Sequence, residues 1–230
     1  MLKPSCGTRI RRGDSTDVCT AGCLVTYSHQ PDKVLLLSVC HGLVSSSATQ
    51  GDLIFDDATG KALGRLETWA AFTDQIDIDA ALVWIDPARI GIDIMGLGVP
   101  AGAATRSGIG TELSIFTIGN PRVSTIEARA DVTVHVTGAG GWVRDTLYRK
   151  QIICREQFSA SGDSGAIALN GQGQAVGMVV AVTDPGETWG VERHTIITPI
   201  DAITGYLPFG DTLTVLRGLP AKPSVPSLPS

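Results

Sequence analysis

The sequence predicts an all-β protein built from antiparallel strands. Its apolar segments are short and rich in Val, Ile and Thr, which is typical of strands. Several segments alternate between apolar and polar residues, most clearly at residues 125–134, and this is the period of a half-buried strand. The 27 glycines and 12 prolines indicate frequent turns. We expect one short helix near the end, at residues 199–207, with Pro199 in its first turn.

Length and composition favour a single folded domain. With 230 residues, of which 43% are hydrophobic, the chain is long enough to bury a sizeable core. The net charge of −5 disfavours nucleic acid as a partner, because phosphate binding needs a basic face. No segment is apolar for long enough to span a membrane, so we expect no membrane partner. Pro and Ser recur in residues 220–230, which we expect to be disordered.

A serine lies between glycines in the segment Gly162-Asp163-Ser164-Gly165, directly before an apolar run. A hydroxyl is a poor nucleophile unless a base removes its proton and nearby donors bind the oxyanion that forms. Glycine at position 162 leaves the backbone free to turn its N–H, with that of Ser164, toward a single point. The same tetrapeptide is also a common turn sequence. A catalytic role therefore requires a histidine and a carboxylate elsewhere in the chain.

Both groups occur ahead of the serine. His41 directly follows an apolar, strand-like run. Three aspartates lie close together before a second apolar run: Asp74, Asp77 and Asp79. The resulting order His, Asp, Ser is one of three that build the same triad geometry on unrelated folds. We expect His41 to be the general base for Ser164, with one of the aspartates as its partner.

Further blocks accompany the serine motif. Two follow it, Ala175-Val176-Gly177-Met178-Val179-Val180 and Thr198-Pro199-Ile200, and one precedes it, Thr20-Ala21-Gly22-Cys23-Leu24-Val25. With these blocks the sequence resembles the trypsin/chymotrypsin superfamily of serine peptidases. Among its members it is most similar to the short bacterial trypsin-like peptidases that lack an activation peptide. The resemblance covers residues 12–207 and leaves residues 208–230 as a Pro- and Ser-rich tail.

The resemblance implies a chymotrypsin-like architecture of two packed, six-stranded Greek-key β-barrels, followed by the short helix. The N-terminal barrel would take about residues 17–100 and the C-terminal barrel about residues 105–200. A Gly- and Ala-rich stretch at residues 96–110 would connect them. His41 and the aspartate would then belong to the first barrel and Ser164 to the second.

The resemblance also implies the function of a serine endopeptidase that acts through an acyl-enzyme. Asp79 is the implied triad acid, since the family places its aspartate directly before an apolar strand, and Asp77 is the fallback. The oxyanion hole would consist of the backbone N–H groups of Gly162 and Ser164. No cofactor is implied, and the expected partner is a protein or peptide substrate. Whether the enzyme is made active or is controlled by a partner protein stays open.

The walls of the pocket for the P1 side chain, which precedes the scissile bond, follow from the same resemblance. They would be formed by Phe158, Val180, Ala181, Val182 and Thr195. Phe158 occupies the position at which trypsin-like members hold an aspartate, so no anion is expected there for Lys or Arg. We therefore expect an apolar or small P1 side chain.

Two other functions stay open. The chain could be a catalytically silent homologue that serves as a protein-binding module. It could also be a serine esterase, because any acyl-enzyme can in principle hydrolyse esters. The lipase-type Gly-x-Ser-x-Gly motif is absent, since Ala166 stands where its last glycine would be.

The five cysteines bear on the cellular location. An odd number of cysteines, with no apolar signal segment near the start of the sequence, indicates reduced thiols and a cytoplasmic protein. Cys19 and Cys23 are separated by three residues, but no paired Cys or His cluster follows them. We therefore expect no metal site.

Overall fold

Two curled β-sheets pack against each other to form the protein. The computed structural model describes residues 3–13, 15–117, 119–183 and 193–229. Within these residues the secondary structure is almost entirely strand, and all but one of the pairings between named strands are antiparallel. The prediction of an all-β fold is confirmed.

The first sheet has eight strands, seven from the first part of the chain and one from near its end. In chain order they are β1 (Arg9–Arg12), β2 (Cys19–Thr20), β3 (Leu24–Tyr27), β4 (Gln30–Ser38), β5 (Leu53–Asp56), β6 (Ala62–Trp69), β8 (Ala81–Ile85) and β15 (Leu213–Val215). Their spatial order is β15-β3-β4-β8-β6-β5-β1-β2. The strands β4 and β8, which lie in the middle, are buried over most of their length because both faces are covered.

The second sheet has seven strands. In chain order they are β7 (Gln75–Ile76), β9 (Glu112–Thr117), β10 (Asn120–Thr137), β11 (Val143–Cys154), β12 (Ile167–Asn170), β13 (Ala175–Val182) and β14 (Thr195–Pro199). Their spatial order is β10-β9-β12-β13-β14-β11-β7. Strand β10 also pairs with β11, so the six strands from β9 through β14 form a closed ring. The short strand β7 pairs with β11 in parallel and ties the first part of the chain to this ring.

Burial along β10 follows the alternation in the sequence. Ile126, Val132, Val134 and Val136 are buried, while the residues between 132 and 136 that separate them are exposed. A strand that places one face on a core and the other in solvent gives this period of two. The prediction of a half-buried strand in this segment is therefore confirmed.

Helices are short throughout the described residues. Helix α1 (Cys40–Leu43) follows β4, α2 (Ile200–Thr204) follows β14, and a 3-10 turn spans Leu207–Phe209. Helix α2 is shorter than the predicted segment 199–207, because Pro199 completes β14 and the chain leaves the helix at Gly205. Among the residues that the structure describes, no helix combines the length and apolar character needed to cross a membrane.

The C-terminal tail differs from the prediction. Residues 213–215 add β15 to the first sheet, which therefore has eight strands and extends beyond residue 207. Residues 220–229 are not free of the fold, as disorder would require. Side-chain donors bind three of their carbonyl oxygens. Trp84 and Arg65 of the first sheet bind those of Ser224 and Ser227, and Arg89, which follows β8, binds that of Pro229. Proline lacks an N–H but keeps its C=O, so a Pro-rich segment can still be held in this way.

Candidate active site

The pairing of β4 with β8 brings His41 and Asp79 together. In this antiparallel pair Ser38, at the end of β4, lies opposite Ala81, at the start of β8. His41 follows the end of β4 in helix α1, and Asp79 precedes the start of β8, so the two side chains meet at the same edge of the sheet. The backbone N–H of His41 donates to Asp79 Oδ1 at 3.0 Å, and His41 Nδ1 lies 2.5 Å from Asp79 Oδ2. This contact leaves Nε2 as the ring nitrogen that can take a proton from a neighbour.

The Asp79 carboxylate is fully buried and has a third donor, the hydroxyl of Tyr148, at 2.7 Å from Oδ2. Burial acts to raise the pKa of Asp79. The positive charge of His41 and the hydrogen bonds from His41 and Tyr148 outweigh burial and hold the pKa of Asp79 below its ordinary value. The carboxylate is therefore ionised at neutral pH and orients the imidazole.

The other two aspartates lie elsewhere. Asp77, the fallback, forms an ion pair with Arg149 at 2.8 Å, and both side chains are partly exposed. Asp74 forms an ion pair with Arg144 at 3.3 Å. Of the three candidate acids, Asp79 is thus the one that contacts His41.

Ser164 lies in a turn-rich loop between β11 and β12. The N–H of Asp163 donates to the carbonyl of Ala160 at 3.0 Å, and Asp163 Oδ2 accepts from the N–H of Ala160 at 2.8 Å. Asp163 is almost fully buried, and burial raises its pKa against the lowering effects of that hydrogen bond and of the nearby arginines. These contacts close the loop on itself ahead of Ser164.

Glycine is required at the positions directly before and after Asp163 and Ser164. Gly162 has φ +90° and Gly165 has φ +101°, a left-handed region that other residues rarely adopt. A Cβ at position 165 would also lie 2.2 Å from the carbonyl oxygen of Thr20. At Gly165 the loop therefore lies too close to the backbone of the first sheet for a residue with a side chain.

Two backbone donors of the loop are left unused. The N–H groups of Asp163 and Gly165 donate to Ala160 and Val179, but those of Gly162 and Ser164 have no acceptor among the described residues. The N–H of a nucleophilic serine and the N–H of the residue two positions before it can together form an oxyanion hole. These are the same two groups that the sequence singles out.

The Ser164 hydroxyl makes one weak contact. Its Oγ lies 3.5 Å from the carbonyl oxygen of Val180, at the outer limit of a hydrogen bond. Within the described part of the chain, no hydrogen bond joins it to His41. Its loop is tied to the first sheet, since the N–H of Thr20 donates to the Ser164 carbonyl at 2.7 Å. Catalytic hydrogen bonds are often long without substrate and shorten when it binds.

A cavity of about 220 Å³ opens beside Ser164. Of the five predicted pocket residues, Ala181 and Val182 line it. Phe158, Val180 and Thr195 do not line it and are almost fully buried. Several further residues line the cavity: Gln157, Ser159, Ala160, Ser161, Val179, Thr183 and Arg193. Phe158 packs in the core of the second sheet, so the residue at that position does not decide the charge of the cavity.

Sequence analysis missed the aromatic residues around His41. The Phe72 ring lies 6.3 Å from the His41 ring and 4.9 Å from the Trp142 ring, centroid to centroid. Trp142 belongs to the tip of the β10–β11 hairpin, where the N–H of Ala139 donates to the His41 carbonyl at 2.7 Å. An apolar groove of about 520 Å³ runs along these side chains. Phe72 and Trp142 lie 70 residues apart in the sequence, so no local pattern predicts their contact.

Comparisons with solved structures place this geometry on a known fold. Thermobifida fusca protease A matches with a TM-score of 0.61 at 16% identity, and Cellulomonas bogoriensis chymotrypsin with 0.61 at 18%. Each match covers 94% of this chain and 100% of the other. The Nocardiopsis protease matches with a TM-score of 0.63 at 16% identity, covering 92% of this chain and 99% of the other. The protein has the chymotrypsin-like fold.

The chymotrypsin-like fold assigns the two sheets to the two barrels that the resemblance implies. No protein-family model matches the sequence, and no curated protein matches it. At these low identities the solved structures establish the fold alone. The roles of individual residues are therefore argued from the geometry of the site.

Proposed function

We propose that the protein is a serine endopeptidase with His41, Asp79 and Ser164 as its triad. The proposal is supported mainly by two features that occur together in this fold, one at His41 and one in the loop of Ser164. The buried Asp79 carboxylate accepts two hydrogen bonds from His41, one from its imidazole and one from its backbone N–H. The loop of Ser164 presents two backbone N–H groups without an acceptor among the described residues. The first feature activates a nucleophile, and the second stabilises the oxyanion that its attack creates.

The reaction follows from these groups. Ser164 Oγ attacks the carbonyl carbon of the scissile bond while His41 Nε2 takes the hydroxyl proton. The N–H groups of Gly162 and Ser164 bind the oxyanion, a contribution of roughly 3 kcal/mol per donor. His41 then gives the proton to the leaving amine, the C–N bond breaks and an ester to Ser164 remains. Water attacks this ester by the same steps and releases the acid.

The pocket beside Ser164 supports an apolar or small P1 side chain. Its volume of about 220 Å³ is small, and Ala160, Ala181 and Val182 form part of its wall. Among the described lining residues there is no carboxylate, and Arg193 is the one charged group. A panel of peptide substrates that varies P1 tests this preference. Predominant cleavage after Lys or Arg would contradict it, and so would predominant cleavage after Asp or Glu.

Labelling with a fluorophosphonate probe tests the proposed activity. We expect the wild-type protein to be labelled and Ser164→Ala to remain unlabelled, since the probe reacts with an activated serine. Ser161→Ala is the matched control, because it changes a neighbouring serine of the same loop. An unlabelled wild-type protein would instead indicate the silent, protein-binding homologue. Comparison of peptide amides with esters then separates an endopeptidase from an esterase.

We also propose that the protein works in a reducing compartment such as the cytoplasm. All five cysteines are free and buried in the structure. Free thiols persist in reducing compartments and are rare in oxidising ones. Alkylation of the protein under denaturing conditions, directly after cell lysis, should modify all five cysteines. Protection of any pair until a reductant is added would contradict this location.

A further inference from the structure

Arg9 belongs to the first sheet but reaches the loop of Ser164 in the second. It opens β1 and pairs with Thr20 of β2 across the sheet. Its guanidinium donates to the carbonyl of Ser161 at 3.1 Å. Thr20 holds the next part of the loop, since its hydroxyl donates to the carbonyl of Gly162 at 2.7 Å. Two residues near one edge of the first sheet therefore donate hydrogen bonds to the consecutive carbonyl groups of Ser161 and Gly162, in the loop that contains Ser164.

The loop segment to which Arg9 donates, residues 160–163, is a type II turn. Its closing hydrogen bond runs from the N–H of Asp163 to the carbonyl of Ala160, and its third residue, Gly162, has φ +90°. In the alternative type I turn this residue would have φ near −90°, and the peptide between Ser161 and Gly162 would be turned over. The two turns therefore differ in the direction of one C=O and one N–H.

That peptide carries one of the two unused donors. In a trans peptide the C=O and the N–H point in opposite directions. The bond from Arg9 to the Ser161 carbonyl thus also sets the direction of the Gly162 N–H. Turning the peptide over would break this bond and would withdraw the N–H from the side on which it now lies.

Packing adds to the hydrogen bond. A Cβ at position 162 would lie 2.6 Å from Arg9 Nη2 and 2.7 Å from Arg9 Cζ. The guanidinium therefore lies directly against the α-carbon of Gly162. Arg9 Nε is buried without a hydrogen-bond partner among the described residues, so the side chain has one good polar contact there, the Ser161 carbonyl.

From these contacts we propose that Arg9 is a positioning residue that holds the type II turn and so keeps the Gly162 N–H available to the oxyanion. This inference rests on the proposed function, since Arg9 would hold the Gly162 N–H of the proposed oxyanion hole in position. Arg9 touches neither the substrate nor the reacting atoms. It acts through the peptide between Ser161 and Gly162.

Two substitutions separate positioning from mere support of the fold. Arg9→Met keeps an unbranched side chain and removes the guanidinium donor, and Arg9→Lys restores a cationic donor. Arg11→Met is the matched control. Arg11 lies on the same strand and pairs with Asp57, with no contact to the loop among the described residues.

The first measurement is the rate of fluorophosphonate labelling, which needs no known substrate. We expect about a tenfold or larger loss in Arg9→Met, since loss of a complete oxyanion donor costs about 10²–10³-fold. Arg9→Lys should recover part of the rate, and Arg11→Met should match the wild type. On a peptide substrate, kcat should fall in Arg9→Met with KM within about twofold. An unchanged labelling rate, or a fall confined to KM, would overturn the proposal.

Crystal structures of the wild type and Arg9→Met provide a readout that does not depend on activity. We expect φ of Gly162 to be positive in the wild type and the turn to change to type I, or to populate both forms, in Arg9→Met. An unaltered type II turn would refute the role of Arg9 even if the protein were not a peptidase. Should Arg9→Met not fold, Arg9→Lys replaces it in both measurements, with a partial loss of the labelling rate and a partly altered turn expected, because an ammonium does not reproduce the planar guanidinium. Conversely, an inactive wild type with the expected change of turn would refute the proposed function alone.

Discussion

The hydroxyl of Tyr148 donates a hydrogen bond to Asp79 Oδ2 at 2.7 Å across the contact between the two sheets. Tyr148 lies on β11 of the second sheet, whereas Asp79 precedes β8 of the first. The Asp79 carboxylate therefore accepts hydrogen bonds from both halves of the molecule. It couples the position of the His41 imidazole to the packing of the sheets.

Tyr148→Phe should lower activity without abolishing it. The change removes one of three hydrogen bonds to Asp79 and leaves both bonds from His41. A hydrogen bond to a charged group contributes about 1.5–3 kcal/mol, so we expect a comparable loss in the free energy of unfolding. kcat should fall about tenfold, because a small displacement of a catalytic group from its reactive position can cost up to about 10²-fold. Urea unfolding and steady-state kinetics measure the two effects, and an unchanged kcat would contradict the orienting role.

Asp79→Asn and Asp77→Asn should differ sharply in activity. Loss of the Asp79 charge leaves the imidazole without its anionic partner, and we expect a loss in kcat of about 10⁴-fold. Asp77 forms a partly exposed ion pair with Arg149 and does not contact His41. Exposed pairs contribute about 0–1 kcal/mol, so its substitution should leave kcat nearly unchanged. Hydrolysis rates of both variants at neutral pH show which aspartate is the triad acid. Equal losses would count against Asp79 as the triad acid.

The pH dependence of stability should report the state of Asp79. Its pKa in the folded protein lies below the ordinary value of 3.8, whereas in the unfolded chain it returns to that value. A carboxyl with a depressed folded pKa contributes stability that is present above the unfolded pKa and is lost as pH falls through the folded pKa. The difference in free energy of unfolding between wild type and Asp79→Asn should shrink as the pH falls below about 4. Denaturant unfolding at several pH values measures it, and a difference that grew on acidification would contradict the assignment.

Gly165→Ala should destabilise the protein and remove activity. The left-handed φ costs about 1–3 kcal/mol for a residue with a Cβ, and contact with the Thr20 carbonyl adds about as much again. Gly171→Ala is the control, since no atom lies within 4 Å of the Cβ it would add. Thermal unfolding of both variants provides the comparison. Equal melting temperatures would show that the loop can move away from Thr20.

Truncation should reveal which part of the tail stabilises the first sheet. A chain ending at residue 210 loses β15, in which Leu213 and Val215 are buried, and each such side chain contributes about 1.5–3 kcal/mol. A chain ending at residue 219 keeps β15 and loses the hydrogen bonds that Arg65, Trp84 and Arg89 make to the tail. We expect a much larger fall in Tm for the shorter chain. A similar fall in both would locate the stabilisation in residues 220–229.

Sequence analysis predicted the parts of this protein that depend on local patterns. Alternation along residues 125–134 predicted a half-buried strand, and the glycines around Ser164 predicted a loop with unusual backbone angles. Both follow from the conformations open to each residue type, which neighbours in the chain suffice to determine. The order of His41, Asp79 and Ser164, together with the blocks around them, supported the resemblance that implied a chymotrypsin-like architecture.

The tertiary structure decided everything that depends on register between distant strands. The pairing of β4 with β8 brings Asp79 rather than Asp77 to His41, although the two aspartates lie two residues apart. The same kind of long-range contact brings Tyr148 to Asp79 and Arg9 to Ser161, and it buries Phe158 away from the cavity. A side chain's partners across a sheet are set by which residues face each other, and no local pattern contains that information.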